Sequence, residues 1–136
     1  MHYMGFVFIK EPTDTALSEA MLPHIETDRG GHWDFYIAGG RWNGYLVSDE
    51  VMEDLDEYVD HIEENCSLAC NFPHDRRKDA DAFWFLVDGQ WEECVTFSPD
   101  SLGEKQWWPT PNFKERLGEA FRTHPDYYVV VVDCHV

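Results

Sequence analysis

Positive charge is scarce in this chain. Ten Lys and Arg stand against 27 Asp and Glu in 136 residues, a formal net charge of −17. Such a surface repels phosphate backbones and anionic headgroups, so neither direct nucleic-acid binding nor membrane-surface binding is expected. No apolar run approaches the ~20 residues that a bilayer-spanning helix needs. Nor does a basic and apolar leader with a small-residue cleavage pattern open the sequence, because MHYMGFVFI reads as a strand. The expected location is therefore cytoplasmic. Internal repeats, low-complexity tracts, a P-loop and a dinucleotide fingerprint are all missing. The cysteines are few, Cys66, Cys70, Cys94 and Cys134. Without export they read as thiols or metal ligands rather than as a disulfide framework.

Large rings are abundant instead. Nine Phe, six Tyr and six Trp, within 43% hydrophobic content, are enough to fill the core of one domain spanning residues 1–136. The pattern along the chain predicts a first strand over residues 2–10 and a short helix over 15–22, stopped at Pro23. Two short strands are expected around Gly39-Gly40. Ser48 reads as an N-cap, and Val51, Leu55, Tyr58, Val59 and Ile62 recur at helical spacing, so an amphipathic helix with an acidic outer face is expected from 49 to about 65 or beyond. Asp88-Gly89 between apolar runs predicts a hairpin, since both central residues of such a turn favour positive φ. Residues 97–111 look irregular. Asn112 reads as the cap of a second helix whose buried stripe is Phe113, Leu117, Ala120 and Phe121. The closing run YYVVVVDCHV is apolar enough for a strand buried on both faces. The fold class expected is α+β, a single mixed or antiparallel sheet of about five strands with two to three helices on one face.

The stretch HIEENCSLACNFPH, residues 61–74, raises the question of a metal. At about 100° per residue, a continued helix puts His61 roughly 140° from Cys66 and roughly 180° from Cys70, which removes it as a co-ligand. Glu63, Cys66 and Cys70 would share a face, and Pro73 would let His74 fold back, so Glu63, Cys66, Cys70 and His74 form a candidate zinc set. The competing reading makes Cys66 a small core residue continuing the stripe of Leu55, Val59 and Ile62. No cofactor is otherwise expected. Asp133 and His135 share a strand face and suit an acid/base couple near Arg41, with Asp34 nearby; a hydrogen-bonded strand terminus explains them as well. The glycines of AGGRWNG fit an anion cradle with Arg41, or a tight turn with Trp42 beneath it and Arg41 neutralising Asp34. Trp107 and Trp108, in a proline-flanked segment, are the tryptophans nominated for a contact surface.

The segments HWDFYIAGGRWNG, VDGQW and VVVVDCHV together resemble a group of small uncharacterised phage and prophage proteins that share Gly-Gly-Arg-Trp, Asp-Gly-x-Trp and a C-terminal Val-Asp-Cys-His. The resemblance covers about half of the chain. It implies a phage or prophage setting, hence the host cytosol, and brings no activity with it.

The leading functional expectation is an acidic protein-binding module, a phage-type inhibitor that occupies the basic surface of a nucleic-acid-handling host protein. Asp54, Asp56, Glu57 and Asp60 on the acidic helix, with Trp107 and Trp108, are its expected contact residues. An enzyme using a small ligand or a metal, with its site around Arg41, Asp133 and His135, is the alternative. A structural component of a larger assembly, served by segment 97–111, is the third.

Overall fold

A computed structural model describes residues 2–25, 33, 35–46, 62–73, 82–99 and 105–135, and for 95–99 and 105–109 it gives the backbone path. The architecture is α+β. Strand β1 (His2–Ile9) and strand β8 (Tyr128–His135) form its centre, paired antiparallel over eight positions from His2↔His135 to Ile9↔Tyr128. Both segments are dense in β-branched and aromatic residues, which suit a pleated surface packed on both sides. The second edge of β8 carries β2 (Phe35–Ala38) along one half and β3 (Cys66–Leu68) along the other. On the far side, β1 runs parallel to β4 (Trp84–Val87), which turns into β5 (Gln90–Glu93). The result is one mixed six-stranded sheet, joined by a separate antiparallel pair, β6 (Val95–Pro99) and β7 (Lys105–Pro109).

Alternation along β1 and β8 divides the core in two. Met4, Phe6 and Phe8 face one way with Val129 and Val131, and there helix α2 (Phe113–Thr123) lays down Phe113, Leu117, Ala120 and Phe121. Val7 and Ile9 face the other way with Val130, Val132 and Cys134, covered by Leu17 and Met21 of helix α1 (Asp14–Met21) and by Trp33. Two to three helices were expected on one face; the two described helices take one face each. The physical reason lies in the central strands, whose apolar residues are consecutive rather than alternating, so each face needs its own cover. Gly5 is a condition of this packing. A Cβ there would lie 1.9 Å from the Trp84 ring, which in turn stacks on Trp91 with centroids 4.2 Å apart.

Several local expectations hold. Helix α1 ends before Pro23, with the Thr13 hydroxyl accepting from the Ala16 amide at its start. Asp88 and Gly89 adopt φ of 49° and 77°, the paired positive values of the expected hairpin turn. Four local expectations are corrected. After Gly39 the chain makes a 3₁₀ turn, Gly40–Trp42, and further turns to Leu46, in place of a second strand. Within segment 97–111 the described residues 97–99 and 105–109 are strand, in place of the irregular path expected. Asn112 holds the N-cap position of α2 as expected, but at a left-handed φ of 61° and with no capping hydrogen bond from its side chain. The helical path expected through the cysteines is not taken: Glu63–Asn65 is a 3₁₀ turn and Cys66 opens β3, because the open edge of β8 offers backbone partners that a helix there would forgo. Residues 49–61 lie outside the described residues. No helix among those described is long and apolar enough to cross a membrane.

Candidate functional site at the His2 end of the sheet

Asp133 is the centre of this site. It sits in β8 with only 1% of its surface exposed, directly after four consecutive valines. A carboxylate so placed must have its oxygens satisfied, and both have partners. The His2 Nδ1–H donates to Oδ1 at 2.8 Å, and the Arg41 main-chain N–H donates to Oδ2 at 3.0 Å. Register explains the first contact: His2 pairs with His135 and Met4 with Asp133, so His2 reaches diagonally along one face. The same row continues onto β2, where Phe35 opposes His135. The His135 ring stacks on Phe35 at 4.9 Å and 9°, and the His2 ring meets His135 edge-on at 4.9 Å.

The glycine loop owes its shape to two buried polar side chains. Gly40 has φ of 52°, and a Cβ there would lie 2.5 Å from Asp133. Gly39 has φ of 82°, and a Cβ there would lie 2.4 Å from Asn65 Nδ2. Asn65 is fully buried, accepts from the Gly44 amide at 3.2 Å and donates to Asn43 Oδ1 at 2.9 Å. The loop is thus clamped from both sides, and its glycines are required by close approach as well as by conformation. Trp42 packs partly buried against the α2-side core, as the tight-turn reading expects. Arg41 reaches Asp133 through its main chain; its guanidinium Nε is buried with no hydrogen-bond partner among the described residues.

Three sequence candidates, Arg41, Asp133 and His135, therefore gather at one end of the sheet, while Asp34 lies outside the described residues. His2, Phe35 and Asn65 were missed. The usable signal for His2 was positional, since a histidine near the start of the first strand meets one near the end of the last when those strands pair antiparallel. Chemically, a buried carboxylate that fixes one imidazole nitrogen sets the ring's orientation, the arrangement an acid/base couple requires.

The proposed zinc set does not assemble on a helical face. Cys66 is half-buried in β3 opposite Val130, Cys70 is exposed in the following turn and Glu63 is exposed in the turn before, while His74 lies outside the described residues. Among the described residues no group of three or more His, Cys, Asp and Glu is placed to hold a metal. Burial pushes the Cys66 thiol up to about 11, as expected of a thiol packed against the α1-side core. Burial also raises the Cys94 and Cys134 thiols. Cys134 points into the α1-side core, away from the His135 face.

A second cluster occupies the other end of β1 and β8, roughly 23 Å away along the strands. Tyr127 donates its hydroxyl to Asp88 Oδ1 at 2.8 Å, and His124 Nε2 lies 3.3 Å from Asp88 Oδ2. The hydrogen bond from its hydroxyl to Asp88 holds the Tyr127 phenol above its usual range, with burial and the Asp88 and Asp126 charges adding to it. Beside this cluster is a pocket of about 490 Å³ between α1, the end of β1 and the Asp88-Gly89 turn. Of the expected contact residues, Asp54, Asp56, Glu57 and Asp60 lie outside the described residues, and Trp107 and Trp108 lie in β7, described by backbone alone.

Compared with known protein families, curated proteins and solved structures, the chain finds no match.

Proposed function

We propose that the chain is an acidic protein-binding module of phage type, acting in the host cytosol by occupying the basic surface of a nucleic-acid-handling host protein. One observation carries this reading. Residues 49–64, DEVMEDLDEYVDHIEE, hold nine carboxylates and no Lys or Arg, within a chain of net charge −17. A surface of that kind steers and holds a cationic partner while repelling the nucleic acid that the partner normally binds. The test is capture of host proteins by the full chain at low and at high salt, followed by competition with an oligonucleotide on the purified complex. The expected result is a basic partner that is released by salt, loses its oligonucleotide on binding, and is not bound when Asp54, Asp56, Glu57 and Asp60 are all converted to their amides. Salt-independent capture, or undiminished binding by that quadruple variant, would reject the reading.

A second reading, an enzyme acting on a small ligand around Arg41, Asp133 and His135, is favoured by the fixed imidazole of His2. A screen of ester and phosphoester substrates tests it. Turnover that His2→Gln abolishes without loss of fold supports it, and no turnover in any class removes it.

A further inference from the structure

The pocket at the Ile9 end of the sheet is walled by ordinary core residues and rimmed by charge. Ile9 and Leu86 supply apolar wall from β1 and β4 on the α1 side, and Ala16 and Ala20 of α1 keep the space open by being small. The rim carries three carboxylates, Glu11, Glu19 and Asp88, against one ammonium, Lys10. Glu11, Glu19 and Asp88 are all exposed, so the pocket mouth is negative and reachable.

Carboxylates alone do not define a ligand. The second observation is Tyr127, which lines the same pocket and whose hydroxyl is tied to Asp88 Oδ1. Lys10 Nζ lies 5.8 Å from the centroid of the Tyr127 ring, so its face already receives a cation from within the chain. A tethered aromatic face, an apolar wall long enough for an alkyl stem and an anionic rim are the three things that a long basic side chain requires.

We infer that this pocket receives an arginine or lysine side chain of the protein partner, its stem along Ile9 and Leu86 and its head between Tyr127 and the rim carboxylates. Lys10 is the internal stand-in, displaced into solvent when the partner's side chain enters. The inference rests on the reading of the chain as a binder of a basic protein, and it names where one partner side chain is held.

The test uses the isolated chain, so that its failure leaves the acidic segment 49–64 untouched as a binding surface. Acetyl-Ala-Arg-Ala-amide is titrated and followed by backbone amide shifts, beside the same peptide with citrulline, which keeps the shape and removes the charge. Saturable shifts at Asp88, Gly89, Glu19 and Tyr127 with the arginine peptide, weakened about tenfold or more by Asp88→Asn combined with Glu19→Gln, are expected. Lys10→Ala is expected to tighten binding by removing the competitor. Equal shifts from the citrulline peptide, shifts confined to other amides, or unchanged affinity in the double variant would each overturn the assignment. If the pocket fails and host-protein capture remains salt-sensitive, only the pocket is lost; if capture fails and the pocket binds, only the partner reading is lost.

Discussion

Two carboxylate–imidazole pairs lie at opposite ends of β1 and β8, and they share little beyond their chemistry. Asp133 and His2 are 1% and 11% exposed and 2.8 Å apart; Asp88 and His124 are 55% and 22% exposed and 3.3 Å apart. The first carboxylate stands in the central strand and also holds a main-chain amide. The second stands on a hairpin turn, with water on one side. A buried charge stripped of a partner has nothing to replace it, whereas a surface pair exchanges partners at little cost. The contrast teaches that Asp133 is the costlier of the two carboxylates to remove, and that the contacts of Asp88 can be exchanged at little cost.

The largest effect expected from that contrast is at Asp133. Asp133→Ala removes the acceptor for both His2 and the Arg41 amide and should cost about 3–5 kcal/mol of stability, read by denaturant unfolding. A loss below about 1 kcal/mol would break the comparison, because it would place Asp133 among exposed carboxylates in energetic terms. Next is Gly40→Ala, which forces a Cβ onto Asp133 at a φ of 52°. Strain and collision together should cost about 1–3 kcal/mol. Gly89 has φ of 77° as well, but a Cβ there meets nothing within 4 Å, so Gly89→Ala should be the milder of the two. Equal losses at both glycines would show that conformation alone, and not the clamp, sets the requirement.

These two positions also show how much was legible in the sequence. The strands at each end of the chain, the Asp88-Gly89 turn and the buried stripe of α2 were readable, because each is written in local residue order. The gathering of Arg41, Asp133 and His135 was readable in part: strand alternation put Asp133 and His135 on one face, but nothing local said that the main chain of Arg41, rather than its guanidinium, meets the carboxylate. His2 was not readable, since its contact depends on a register between residues 131 positions apart. The helical face of Glu63, Cys66 and Cys70 failed for the same kind of reason. Backbone partners on the edge of β8 outweighed a local helical pattern, and sequence spacing carries no information about that edge.

The thiols sharpen the comparison at smaller amplitude. Cys134, next to Asp133, is fully buried, while Cys70 is exposed. Native thiol titration should therefore modify Cys70 first and Cys134 only on unfolding. The half-buried Cys66 adds a pH signature. Its thiol is raised to about 11 in the folded chain, so the stability it contributes is fully present below its ordinary value of about 9 and is lost as pH rises through about 11. Unfolding midpoints should fall across that window, and Cys66→Ala should flatten the fall. An unchanged alkaline slope in the variant would assign the loss to other groups.

The smallest expected effect is at the exposed pair, and it is spectroscopic before it is energetic. Asn tolerates the φ of 49° at position 88 and still offers an oxygen to the Tyr127 hydroxyl, so Asp88→Asn keeps the turn and the geometry while removing the charge. The phenol of Tyr127 should then titrate lower than in the parent, moving part of the way back because a hydrogen-bond acceptor remains. Phenolate absorbance, with Tyr127→Phe as the reference that isolates this tyrosine from the other five, measures it. The unfolding midpoint near neutral pH should barely move. A large loss of stability in Asp88→Asn would make the two ends alike after all, and would turn Asp88 from an exchangeable contact into a second structural anchor.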